Sequence, residues 1–358
     1  MKTATRQRGI ACALLAALLF GASAPFGKLL LSDTSPQLLA GLLYAGSGTG
    51  LGLVWLLRRG RASEGRESPL TRRDAPWLAG AIASGGIAAP VLLMIGLART
   101  PASATSLLLN LEGVFTALLA WFVFAENFDR RIALGMLGIL SGGVILSWQS
   151  AVAWGGVAGP LAVAAACLCW GIDNNLTQKV SASDPLQIAM YKGLAAGTVN
   201  TAIALALGAT VPPITRTAAA AALGFLSYGV SLVLFVLALR MLGTARTGAY
   251  FSTAPFIGAV LAIAAFHERP SGALMAAAVL MGVGVWLHVT EEHKHEHAHG
   301  AMDHAHAHVH DEHHQHQHAP NDPPVTDPRP HSHPHRHEPM LHSHPHYPDI
   351  HHRHAHGP

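Results

Sequence analysis

Lys28, Glu112, Asp173 and Lys192 lie inside long apolar stretches of the chain. An ionisable side chain at bilayer depth is costly, so each marks a candidate functional position whose partner has to be named. Glu112 is the deepest, at least ten residues from either end of its stretch, 102–124. At about 100° per residue, Thr105, Glu112 and Thr116 share one helical face, while Ser103, Ser106, Asn110, Gly113 and Ala117 share another. The first stripe can line a pathway and the second, made of small residues, can pack against a neighbour. Two readings of Glu112 stand: a protonated, hydrogen-bonded packing residue, or a carboxyl group that binds substrate or a proton. Asp173 and Lys192 lie at matching depths in consecutive stretches, 156–178 and 185–207. Adjacent antiparallel helices would bring them into a buried ion pair, structural or functional, in which neither charge is tolerated alone. Asn174 and Asn175 add amide donors and acceptors beside that pair, suited to a polar solute or to bonds between helices. Lys28 is expected to snorkel from the end of the first stretch, with contact to solute as the other reading.

A second chemistry is concentrated at the far end. Of 25 histidines only His267 and His288 precede residue 291. The first dense run holds His295, His297, His299, His304, His306, His308, His310, His313, His314, His316 and His318, and a second follows from His331 to His356. Neutral imidazole is a good ligand for nickel, cobalt, zinc and copper, and closely spaced histidines chelate such ions without a fixed geometry. Segment 291–358 alternates His with Ala, Gln, Ser, Pro, Asp and Glu and has almost no apolar residues, so it reads as a disordered tail. Its divalent-metal binding is either a buffering or delivery function, or incidental to a solvating tail that charges near pH 6.5, about the unperturbed imidazole pKa.

The elements that must position these groups are membrane helices. Half of the 358 residues are hydrophobic and 12% are charged, against roughly a quarter charged in soluble domains. Ten apolar spans precede the tail, near 9–31, 36–57, 76–98, 102–124, 132–149, 156–178, 185–207, 218–240, 244–266 and 271–289. Each approaches the roughly 20 residues that cross a bilayer. Connections such as "LSDTSP" and "FHERPSG" are too short to hold a soluble domain, so the spans must pack as one bundle. The first span lacks the usual cleavage pattern and is expected to be retained. Cys12, Cys167 and Cys169 read as small packing residues. No P-loop and no Ser/His/Asp arrangement occurs. The chain therefore reads as a non-enzyme requiring no cofactor, with the lipid bilayer and a small-molecule or metal-ion substrate as partners and no nucleic acid.

Orientation follows from basic residues, which favour cytoplasmic loops. With residues 1–8 inside, fourteen Lys and Arg fall on that face and four, Lys28, Arg99, Arg216 and Arg269, on the other. Ten crossings then return the tail to the cytoplasm. The expected location is a bacterial-type cytoplasmic membrane, with both termini cytoplasmic.

An internal repeat organises the spans. "LARTPASATSLLLNLEGVFTALLAWFVFAEN" (97–127) aligns with "LRMLGTARTGAYFSTAPFIGAVLAIAAFHER" (239–269) at a constant offset of 142, matching Leu97 with Leu239, Thr105 with Thr247, Ala117 with Ala259 and Glu126 with Glu268. "FGASAPFGK" (20–28) is echoed by "WGIDNNLTQK" (170–179). The expected architecture is all-α, two five-helix repeats over 9–150 and 151–290. Five being odd, the second repeat is inverted, as in secondary transporters whose substrate sites lie at the midplane.

The Phe/Trp-Gly start with a Lys eight or nine residues on, the run of small residues before span four, and the Glu closing spans four and nine together resemble the EamA-type drug/metabolite transporters, over about 9–289. The resemblance implies a ten-helix bundle that exports small metabolites, amino acids or related solutes by alternating access. Pro255 keeps the proline the family commonly has in spans four and nine, whereas the first copy reads Glu112-Gly113, and "DNN" at 173–175 stands where small or apolar residues are more usual. The sequence thus leaves two functions open: a secondary exporter of a small polar solute, in its sharper form nickel or cobalt ion, and a membrane metal sensor or buffer that does not transport.

Overall fold

The computed structural model describes residues 2–59, 69–124, 130–153, 156–180, 183–242, 250–289, 294–299, 302–308, 331–337 and 340–345. Proline and small polar residues set the helix starts. Asp184 caps α10 (Pro185–Ala206), its side chain accepting from Leu186 N at 2.9 Å, and Pro185 occupies the first turn, where its missing N–H costs nothing. Prolines also stand in the first turns of α4 (Ala75–Ala81), α5 (Ala89–Arg99) and α13 (Ala254–Phe266). Left-handed residues end two helices: Gly208 (φ 83°) after α10 and His267 (φ 51°) after α13.

The remaining helices are α1 (Lys2–Gly21), α2 (Ser23–Leu30), α3 (Pro36–Arg59), α6 (Ala102–Leu108), α7 (Leu111–Phe124), α8 (Arg130–Ala153), α9 (Ala158–Gln178), α11 (Ile214–Gly224), α12 (Ser231–Leu242) and α14 (Gly272–Val289). Among the described residues five segments are long and apolar enough to cross a membrane: Gln7–Leu30, Pro36–Arg58, Ala75–Arg99, Ala102–Leu119 and Ile214–Ala238. Ala133–Trp148, Ala254–Phe266 and Gly272–Leu287 are shorter apolar helices. Large apolar side chains such as Leu137, Val144 and Trp148 on α8 stay exposed, a surface suited to lipid rather than to water.

Contacts between helices exchange when the halves of the chain are swapped. Span two packs on span seven, four on nine and five on ten; span three on six is matched by eight on one, and four on six by nine on one. Small residues permit the closest of these. A Cβ at Gly193 or Gly197 of α10 would run into the backbone of Gly48 or Ala45 on α3.

Two irregularities recur in both halves. A π-helical turn, Ile82–Ala88, joins α4 to α5, and another, Phe225–Val230, joins α11 to α12, placing Ser84 opposite Ser227 and Gly86 opposite Gly229 in the repeat. Span four, expected as one helix, is broken at Leu109–Asn110, and span nine turns at Ser252–Thr253. In the second copy Pro255 explains the break, because it has no N–H to continue the ladder. In the first copy the chain tightens instead, with Asn110 N bonding Leu107 O at 3.1 Å and Glu112 N bonding Leu109 O at 3.1 Å.

Four segments of the tail are described as extended chain. β1 (Lys294–His299) pairs antiparallel with β4 (Met340–Pro345), and β2 (Met302–His308) with β3 (His331–His337). Alternation of His with other residues has the two-residue period of a strand, which is why these segments can pair despite lacking a core. The register sets His295 opposite His344, His297 opposite His342, His304 opposite His335, His306 opposite His333 and His308 opposite His331. His310, His313, His314, His316 and His318 lie outside the described residues.

Candidate functional site

α9, the first helix of the second half, carries two polar clusters on neighbouring faces. In the first, Lys192 Nζ of α10 donates to both carboxylate oxygens of Asp173, at 2.6 and 2.7 Å, and the two side chains are 14% and 6% exposed. Thr177, one turn on, donates to Asp173 Oδ1 at 2.8 Å. The π turn makes room for this pair: a Cβ on Gly85 would occupy the space of the Asp173 carboxyl group. The same turn presents the Gly85 carbonyl to two donors, Tyr44 Oη at 3.0 Å and Trp170 Nε1 at 3.1 Å. A π turn shifts carbonyls off the regular ladder, which frees them for such partners.

The second cluster begins one residue later. Asn174 Nδ2 donates to Glu112 Oε1 at 2.8 Å and to Thr116 Oγ1 at 3.2 Å, joining the two halves of the chain. Glu112 stands in the first turn of α7, directly after the break in span four. Among the described residues no Lys, Arg or His lies within ion-pair distance of it, whereas the neighbouring carboxylate of Asp173 is matched by Lys192. The membrane site therefore holds one carboxyl group beyond its balanced pair.

Other expected site residues fall elsewhere. Asn175 gives its amide to Gly171 O at 2.8 Å, one turn back on α9, and to Thr116 O at 3.2 Å, the bond that joins α9 to α7. Asn110 is buried and donates to Leu107 O at 2.9 Å, covering a carbonyl at the break. Cys167 Sγ lies 3.7 Å from Leu108 O at the same break, as a packing thiol. Lys28 does not snorkel freely. Its Nζ donates to Leu97 O in the last turn of α5 at 2.7 Å and to Thr100 O just past the helix at 2.5 Å, and it lines a separate cavity of about 500 Å³ with Arg99, Ser103 and Glu268.

Aromatic residues at the centre were not singled out from the sequence. Phe20 meets Trp170, its counterpart in the repeat, edge-on at 6.5 Å, and also Tyr228 at 6.1 Å, while Tyr44 and Tyr228 lie 5.3 Å apart. The echo of "FG" at 20 in "WG" at 170 was the available signal, since equivalent residues near a two-fold axis meet each other. Among the described residues no three His, Cys, Asp or Glu side chains converge as a metal-binding group.

Two halves exchanging their contacts around a buried ionisable site define a membrane transporter architecture. The EamA-like transporter family matches the chain twice, over residues 7–148 and 157–290, and the chain belongs to that family. An uncharacterized transporter of Methanothermobacter thermautotrophicus is 27% identical over 299 residues, covering 79% of this chain and 86% of the relative. A solved crystal structure that is 21% identical shares the fold with a TM-score of 0.55, over 79% of this chain and 95% of its own. The chain is thus a multi-pass membrane protein of a family that transports small solutes.

Proposed function

We propose that this protein is a secondary-active exporter that moves a small polar solute by alternating access, with Glu112 as the group that binds solute or a coupling proton. The observation that carries this reading is the bond from Asn174 of the second half to Glu112, which has no cationic partner among the described residues and follows a break in its helix. Discontinuous helices place backbone and side-chain groups at midplane sites without leaving them unsatisfied in lipid. A cation or a proton would balance Glu112 there, whereas the Asp173–Lys192 pair is already neutral as a unit. In this reading both termini are cytoplasmic, in accord with the basic residues, and the membrane bundle requires no cofactor.

The histidine tail narrows one branch of the reading. Its imidazoles bind divalent nickel, cobalt, zinc or copper and, from the cytoplasmic face, supply ions to an export path. The oxygen donors Glu112, Asn174 and Thr116 match nitrogen-preferring nickel or cobalt poorly, which favours the general polar solute over a metal ion. A metal sensor or buffer that uses the bundle only as an anchor is the competing function, favoured by the histidine density alone.

A panel of polar metabolites, amino acids, nickel and cobalt assayed for efflux from vesicles separates these readings. Glu112→Gln is expected to leave expression and melting temperature intact while abolishing transport or flattening its pH dependence. Unchanged transport across pH would return Glu112 to packing, and no transport of any solute by the wild-type chain would favour the anchor.

A further inference from the structure

The corner between α5 and α6 is held from both sides. Glu268, just past the end of α13 in the second half, accepts from Ala102 N at 3.1 Å and Ser103 N at 3.3 Å, and also from Ser103 Oγ. These bonds cross between the two halves of the chain. On the other side Lys28 donates to the carbonyls of Leu97 and Thr100. The three residues between Arg99 and Ser103 are thereby fixed at one mouth of the bundle, beside the cavity that Lys28 and Glu268 both line.

Directly behind this corner the structure is polar and unsatisfied. The hydroxyls of Thr100, Thr105 and Ser106 are buried, and none has a hydrogen-bond partner among the described residues. A buried hydroxyl without a partner is costly and is normally satisfied by protein, water or ligand. Thr105 and Ser106 lie on the helix that leads, past the break, to Glu112. α5 meanwhile is the half of span three beyond the π turn, so the segment that Lys28 holds is joined to the rest of that span by an irregular turn.

We propose that Glu268 and Lys28 form a latch that closes one mouth of the transport path, and that the hydroxyls behind it line the path and gain partners when it opens. The proposal rests on the alternating-access reading but not on the identity of the solute. Release requires only that Glu268 leave the 102–103 amides and Ser103, after which α6 and the end of α13 can part and admit water to Thr105.

Labelling tests this without any solute. In the full-length chain with Cys12, Cys167 and Cys169 changed to Ala, Thr105→Cys is exposed to a membrane-impermeant maleimide in right-side-out and inside-out vesicles. Glu268→Gln should raise the labelling rate from one side by at least about fivefold, a shift in open population of the size a broken latch produces. Glu268→Asp should restore a slow rate. Equal rates with Glu and Gln at 268 in folded protein would mean a static helix cap and overturn the latch. Should Glu268→Gln fail to fold, Ser103→Ala, which removes one bond of three, must give a smaller increase on the same side; none overturns the proposal equally. Failure of the exporter reading is distinguishable, since it appears as absent solute flux while labelling still responds.

Discussion

Asp173 and Lys192 bind each other because neither has another way to remain charged among apolar helices. Removing water from two ions is expensive, and the short double contact with Thr177 as a third partner is the geometry that recovers the cost. Asp173→Asn or Lys192→Met alone should therefore destabilise the protein by about 3–5 kcal/mol, the usual consequence of leaving one buried charge unmatched. The double substitution should recover a substantial part, because it restores neutrality. Thermal melting of all four proteins closes the cycle, and additive losses would mean that the two residues are not coupled. The pair was legible in the sequence because its signal is depth alone: two opposite charges placed equally far into consecutive spans. Gly85 was not legible, since its use comes from a π turn on another helix that brings it against Asp173. Lys28 shows the converse failure, where a position near a helix end suggested snorkelling but did not reveal the carbonyls of Leu97 and Thr100 within reach.

The break in span four is where side-chain chemistry substitutes for covalent chemistry. The second copy interrupts its helix with Pro255, whereas the first has no proline and uses the Asn110 amide on Leu107 O. Loss of that bond in Asn110→Ala costs about 0.5–1.5 kcal/mol, a typical net value for one hydrogen bond. If the break positions Glu112 for transport, the same substitution lets 102–124 straighten and lowers the maximal transport rate several-fold more than the small stability loss accounts for. Melting and vesicle flux measured on one preparation decide it, and full flux with the expected small loss of stability would make the break a packing accommodation. Periodicity predicted one helix over 102–124, and it did so for a sound reason: apolar residues stand on both sides of Asn110, at 107–109, 111, 114 and 115, and no proline marks the break. An amide that caps its own helix leaves no mark on that pattern. The π turns were equally silent: their residues, IASGGIA and FLSYGV, continue the apolar spans on either side and carry no mark of a wider turn.

At the level of the molecule, the repeat and the tail impose different demands. The bundle is held by contacts that exchange between halves, and any solute it moves has to pass groups fixed on packed helices. Among the described residues the histidine segments pair with each other, β1 with β4 and β2 with β3. Their register sets histidine opposite histidine at five positions, and closely spaced histidines are good ligands for divalent transition metals in any case. Deleting 291–358 should thus abolish tight nickel binding by the purified protein and leave its melting temperature within a few degrees, since a segment with no apolar core adds little to the stability of the bundle. Flux of the exported solute should persist, and if that solute is nickel or cobalt the rate should fall only when cytosolic metal is scarce. Cells carrying empty vector, the full chain or the truncation provide the comparison through metal accumulation and resistance. If the full chain changes the accumulation of neither metal, export of these ions is excluded and the polar-solute reading stands; if truncation alone removes all flux, tail and pathway are one device, and the division of labour between oxygen ligands in the membrane and imidazoles outside it is wrong.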